Sequence, residues 1–203
     1  MLPRSYFARD AAELARALIG ATLLVDGVGG VIVETEAYER EDPASHSFGG
    51  KTNRNAAMFG PAGHAYVYRS YGIHWCLNAV CGRDQTRSAV LIRALEPRAG
   101  LMTMRARRGL EDVRKLCAGP RRLCEALAIS QVHDGLPLDE PPVLLPRSIN
   151  GRGGHCRAAD RHHTGNRDTL ALWSRRVALL QPAVPRSAVR GLAQPQLMSS
   201  LSS

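Results

Sequence analysis

Polar and apolar positions alternate most clearly in VIVETEAY, residues 31–38, where a period of two marks a β-strand. On that period Ile32, Glu34, Glu36 and Tyr38 share one face, and Val31, Val33 and Thr35 the other. A helical period comes earlier: Leu14 and Leu18 fall on one face of AAELARALI, with Asp10 placed to cap the helix and Gly20 to end it. TLLVD reads as a strand joined to VIVETEAY through the turn formers Gly27 to Gly30. Further on, AYVYR and IHWCLNAV read as a hairpin with Ser70, Tyr71 and Gly72 at its tip, and SAVLIRALE as another strand. AGLMTMRARR and PRRLCEALAI read as helices, the second with Pro120 in its first turn. No repeat is visible, and strands slightly outnumber helices. These elements predict the α+β class: a single mixed domain with a largely antiparallel sheet.

A chain of 203 residues suits one well-packed domain better than two. No run reaches the ~20 apolar residues of a membrane span, so no membrane association is expected. The cysteines Cys76, Cys81, Cys117, Cys124 and Cys156 are odd in number and lack CxxC spacing. That argues against a disulfide framework or a zinc site and fits a reducing cytoplasm. The net charge of +9 invites a nucleic-acid partner, but its distribution tempers the inference. Residues 1–150 hold 19 Lys and Arg against 16 Asp and Glu, whereas residues 151–203 hold 8 Arg against only Asp160 and Asp168.

The strand face bearing Glu34, Glu36 and Tyr38 needs an explanation, because burying an uncompensated charge is costly. Either it is a solvent-facing edge or it is a site. His46 likewise reads as a structural hydrogen-bonding residue or as part of a pocket. Tyr66 and Tyr68 share a strand face, which for Tyr66 favours ordinary packing. Tyr71 is the most distinctive residue: a tyrosine at a hairpin tip beside Gly72 gains nothing for folding. Arg93, in VLIRALEP, is an exposed strand arginine or a cation close to the carboxylates.

VIVETEAY, HSFGG, TNRN, MFGP and AYVYRSYGIHWCLN follow one another between residues 31 and 78, and with them the chain resembles the alkyladenine (3-methyladenine) DNA glycosylase family. The resemblance runs from about Phe7 to about Leu145. It implies a curved sheet with surrounding helices and a protruding, DNA-intercalating β-hairpin. It also implies a base-excision repair enzyme that hydrolyses the N-glycosidic bond of alkylated or deaminated purines (3-methyladenine, 7-methylguanine, hypoxanthine). In that resemblance Glu36 activates the attacking water, and Arg93 lies near it, where a cation favours the ionised carboxylate that a general base requires. Tyr38, His46 and Tyr68 match the residues that enclose the extruded base, Asn78 the one that rejects guanine, and Tyr71 the wedge that fills the gap in the stack. The implied partner is double-stranded DNA containing damaged purines, entered from the minor groove by a monomer in the cytoplasm, at the nucleoid. No cofactor and no metal are implied, and no lysine in the motif is placed for a Schiff base, so hydrolysis without strand cleavage is expected.

Beyond Leu145 the family pattern, which continues with GPRIGI and PWRxxxxGS segments, is missing. Residues 157–185, back-translated with suitable synonymous codons and read one base later, give GPRIGITRATETPWRYGVAGSRYFSRPF. The expectation is therefore a glycosylase domain over residues 1–150, incomplete at its end, followed by an out-of-frame basic tail over 151–203. Two other readings of the tail are a disordered DNA-binding arm and a metal cluster of His155, Cys156, His162 and His163. Two other readings of the whole chain are a damaged-DNA-binding protein without catalysis and an inactive, unstable product.

Overall fold

Two adjacent glycines fix the position of the strand on which the rest of the sheet is built. A Cβ on Gly29 would lie 1.8 Å from the carbonyl oxygen of Leu23, and one on Gly30 would lie 2.0 Å from that of Glu96. Only glycine lets the backbone pass this close on both sides. The strand they open, β2 (Val28–Tyr38), pairs antiparallel with β1 (Thr22–Val25) on one side and β5 (Ser88–Ala99) on the other.

The computed structural model describes residues 1–83 and 87–146, which lie within one compact unit. The remaining strands are β3 (Ala65–Ser70), β4 (His74–Cys81), β6 (Asp139–Glu140) and β7 (Val143–Leu144). They complete a seven-stranded, curled antiparallel sheet in the order β3-β4-β5-β2-β1-β7-β6. The helices are α1 (Ala11–Leu18), α2 (Leu101–Arg108), α3 (Val113–Leu116) and α4 (Pro120–Leu127). The α+β expectation and the largely antiparallel sheet are both met. None of these helices is long and apolar enough to cross a membrane.

One face of the sheet carries the main core. Leu14 and Leu18 of α1, Leu123 and Leu127 of α4, and Ile32, Leu77, Val90, Ile92 and Leu95 of the strands are all buried there. Each such side chain stabilises the fold by about 1.5–3 kcal/mol relative to exposure. A second, smaller cluster of Met58, Tyr66, Val80 and Ala89 occupies the other face. Cys76, Cys81, Cys117 and Cys124 are buried free thiols, as expected of core fillers, and Cys156 lies outside the described residues.

Two sequence expectations are corrected. Ile32 does not share a face with Glu34 and Glu36, because the β2–β5 register slips twice in succession. Ile32 faces Leu95, Glu34 faces Ala94 and Thr35 faces Ile92, so Val33 is an extra residue on β2 and Arg93 one on β5. The two irregularities cancel, sending Ile32 and Thr35 to the core side, where Thr35 Oγ1 donates to the Ala15 carbonyl at 2.9 Å. Asp10 occupies the N-cap position of α1 but makes no side-chain cap. The part-buried N–H of Ala12 instead donates to Glu39 Oε1 at 3.2 Å, so the helix is capped from the residue just after β2.

Gly30→Ala is expected to destabilise the protein by about 2 kcal/mol or more, because the new methyl overlaps the Glu96 carbonyl. Urea unfolding measures it, and a midpoint equal to that of the unsubstituted chain would contradict this account of the strand.

Candidate active site

The functional residues reach one face of the sheet because the strand registers line them up in rows. Glu36 pairs with Leu91, Leu91 with Asn78, and Asn78 with Tyr66, so one lateral row runs across β2, β5, β4 and β3. Tyr38, Ala89 and Val80 form the next row. On the far side, Tyr68 pairs with Cys76, whose thiol lies within the electrostatic reach of Arg93. Tyr38, His46, Tyr68 and Asn78, four residues anticipated from the sequence, line one cavity of about 130 Å³ with Ala44, Met58, Tyr66 and Ala89.

The walls of the cavity are aromatic. Tyr66 and Tyr68 stack with centroids 5.4 Å apart at 26°, and the His46 ring meets Tyr68 edge-on at 4.4 Å. His46 Nδ1 and the Tyr66 hydroxyl are hydrogen-bonded at 2.8 Å. Tyr66 is thus both packed, as expected, and a pocket residue that the sequence reading undervalued. Burial raises the hydroxyl pKa of Tyr66 and of Tyr68, so both stay protonated donors. Asn78 is buried and its Nδ2 donates to the Tyr66 carbonyl at 3.0 Å, which fixes its amide.

His46 is carried by a loop, and Asn55 holds that loop in shape. Asn55 Nδ2 donates to the carbonyls of His46 (2.8 Å) and Gly50 (2.9 Å), while its Oδ1 accepts from Thr52 N (2.6 Å) and Thr52 Oγ1 (3.0 Å). Desolvation first, and the Arg54 charge second, lower the His46 pKa below 6.5. A second cavity of about 200 Å³, lined by Gly49, Gly50, Thr52, Arg54 and Asn55, shares His46 and Tyr66 with the first. Arg54 and Asn55 belong to the TNRN segment, but the sequence alone does not show their contacts, which depend on how the loop closes.

Beside the cavity row lies a three-charge cluster. Arg93 Nε donates to Glu34 Oε1 at 2.8 Å and Arg93 Nη1 to Glu36 Oε2 at 2.5 Å. The side chains are 35% (Arg93), 21% (Glu34) and 19% (Glu36) exposed, so the charges are partly desolvated and hold one another. Burial alone would lower the Arg93 pKa, but the two carboxylates outweigh it and the net direction is upward. The structure therefore brings Glu36 and Arg93 together and adds Glu34, to which the sequence reading had given no role.

Tyr71 stands apart from the pocket at the tip of the β3–β4 hairpin. It is 94% exposed, with a left-handed φ of +51° followed by Gly72 at +69°. Ile73 beside it is 68% exposed. Two residues separate Tyr71 from Tyr68, so the tip directly follows the strand that supplies the pocket wall. A larger cavity, of about 250 Å³, lies next to the hairpin tip between the start of β4 and α4, where Arg121 and Glu125 pair at 2.7 Å.

An aromatic pocket, a carboxylate held by a guanidinium and an exposed tyrosine at a hairpin tip thus share one sheet-built frame. The family model described as methylpurine-DNA glycosylase matches residues 5–167. The chain belongs to the methylpurine-DNA glycosylase family. It is accordingly a DNA glycosylase of DNA repair, a hydrolase that acts on N-glycosyl bonds. It is similar to proteins provisionally named 3-methyladenine DNA glycosylase. One is from Rhodopseudomonas palustris strain HaA2, 64% identical over 148 residues, covering 73% of this chain and 74% of the relative. Another is from Nitrobacter winogradskyi, 60% identical over 146 residues (72% and 70%). A third is from Nitrosospira multiformis, 61% identical over 143 residues (70% and 74%). Among the described residues no group of three or more His, Cys, Asp or Glu could hold a metal ion. The alternative cluster at His155, Cys156, His162 and His163 of this glycosylase lies outside the described residues.

Because the His46 pKa is depressed, its neutral form is the one the fold prefers, and its contribution to stability is complete above about pH 6.5. That contribution is lost as the pH falls through the window below 6.5. An NMR titration of the imidazole should give a midpoint below 6.5, and a midpoint at or above it would contradict the desolvated pocket.

Proposed function

We propose that this glycosylase releases alkylated or deaminated purines, 3-methyladenine, 7-methylguanine and hypoxanthine among them, by extruding the nucleotide and hydrolysing its base–sugar bond. The observation that carries the reading is the pairing of the Glu36 carboxylate with Arg93 beside an aromatic cavity on the same sheet face. The relatives' shared name, 3-methyladenine DNA glycosylase, supports the lesion class. The cavity volume of about 130 Å³ is below the ~300–1,000 Å³ of sites for drug-sized ligands. That scale favours a single base over a whole nucleotide.

Glu36 takes a proton from water as the water oxygen bonds to the sugar C1′ and the bond from C1′ to the purine nitrogen breaks with its electrons going to the base. A purine alkylated at N3 or N7 already carries a positive charge and leaves neutral, so a positioned water and a base supply most of the catalysis. Hypoxanthine additionally has to be protonated as it leaves. Tyr38, His46 and Tyr68 clasp the extruded base, and Asn78, fixed by its bond to the Tyr66 carbonyl, stands where it sterically rejects the guanine 2-amino group. Tyr71 enters the stack from the minor groove and offsets the cost of unstacking. Neither of the two lysines, Lys51 and Lys115, lines the pocket, which favours one-step hydrolysis without strand cleavage. The protein acts as a monomer.

Residues 147–203 lie outside the description, and the sequence alone carries the inference that residues 151–203 are an out-of-frame tail. The similarity to the three relatives, which spans 143–148 residues and 70–74% of either chain, supports it, while the family match extends to residue 167. In that reading the glycosylase domain, 1–150, lacks its last segment. Restoring the frame should raise stability and strongly raise base release. Deletion of residues 157–203 should leave the melting temperature unchanged, and full activity of the present chain that vanishes on this deletion would overturn the inference.

Glu36→Gln should leave affinity for a lesion duplex nearly intact while lowering single-turnover excision by ~100-fold or more. If excision survives in Glu36→Gln and is abolished in Glu34→Gln, the base is the other carboxylate. Tyr71→Ala should weaken the extruded state by a few kcal/mol, read by 2-aminopurine fluorescence beside the lesion, with no loss of thermal stability. A large fall in melting temperature would mark Tyr71 as structural.

A further inference from the structure

We propose that Glu34 is a positioning residue for the reaction: it shares the Arg93 guanidinium with Glu36 and thereby sets how strongly that cation holds the Glu36 carboxylate. The inference rests on Glu36 being the water-activating base. Its own support is geometric. Arg93 is the extra residue where the β2–β5 register slips, so it has no partner opposite it on β2. A side chain on such a bulge is free of the ladder's constraint and takes its direction from what it binds. What it binds is one carboxylate at each side, Glu34 through Nε at 2.8 Å and Glu36 through Nη1 at 2.5 Å.

The arrangement gives a net charge of −1 in a patch only a fifth to a third exposed. With Glu36 alone, the guanidinium would pair wholly with the base, favouring the ionised form but making it a weaker proton acceptor. The second carboxylate divides the cation, and its negative charge favours protonation of its neighbour. Both effects loosen the cation's hold on the carboxylate that takes the proton from water. Among the described residues, three further titratable groups near the cluster are uncharged at neutral pH. The Cys76 thiol on β4 and the Tyr68 hydroxyl on β3 are pushed up by burial. His46 is pushed down and stays neutral.

Two measurements on the full chain test this. Glu34→Gln keeps an acceptor for Arg93 Nε while removing the charge, and Glu34→Asp keeps the charge. Carboxyl carbon NMR of the free protein should show the Glu36 titration midpoint moving to lower pH in Glu34→Gln and staying near its original position in Glu34→Asp. Single-turnover excision of hypoxanthine from a duplex should show the acid limb of the pH–rate profile moving down by the same amount. The plateau should fall by ~10-fold, much less than the loss expected for Glu36→Gln, with duplex affinity unchanged. A uniform loss of rate with no shift of midpoint or limb would reduce Glu34 to a structural role and overturn the proposal. So would a Glu34→Gln protein indistinguishable from the unsubstituted chain. The NMR midpoint needs no turnover, so it decides the role of Glu34 even where the chain releases no base and the assignment of Glu36 has failed.

Discussion

One guanidinium held by two carboxylates anchors the candidate site. Arg93 bonds to Glu34 and Glu36 at the place where β2 and β5 each carry one extra residue. The paired slips restore the register beyond them, so Glu36, Leu91, Asn78 and Tyr66 still form a continuous row across four strands. The site thus depends on a local departure from regular pairing inside an otherwise regular sheet. Partly buried charges of this kind are tolerated only when each has a partner, and removing one partner costs more than the pair contributes.

The aromatic pocket depends on that frame in a different way. Its floor comes from strands whose positions are set by the core on the opposite face, where α1 and α4 pack. Its lid comes from a loop with little hydrophobic content, shaped by the four side-chain hydrogen bonds of Asn55. Strand-borne Tyr38, Tyr68 and Asn78 are therefore rigid in origin, while His46 is placed by polar contacts that fold with the loop. The hairpin carrying Tyr71 continues the same strands outward, which places that exposed ring directly after the strand that holds Tyr68.

Periodicity in the sequence is enough to place β1 to β5, the hairpin and its exposed tip, because each rests on local patterns of two or of turn residues; the two-residue strands β6 and β7 are too short to show one. The faces of Glu34, Glu36 and Tyr38 were legible for the same reason. Ile32 was not, since the bulge at Val33 has no glycine or other local marker and is compensated 60 residues away by Arg93. The true cap of α1 was hidden likewise: Glu39 is distant in sequence and reaches Ala12 only after the sheet has formed. Asn55, Arg54 and the second role of Tyr66 belong to the same class of long-range contacts. The parts proposed for Glu36, Arg93 and Tyr71 rest on family resemblance, with which the observed contacts and exposure are compatible.

The central claim is that the paired carboxylate and aromatic pocket break a base–sugar bond by water alone. Its most direct test is product analysis after the frame-restored chain acts on a duplex containing 3-methyladenine. The account predicts free 3-methyladenine in solution and a DNA strand that stays intact until alkali cleaves it at the abasic site. A strand cut without alkali, or a duplex that is bound but yields no free base, would contradict it.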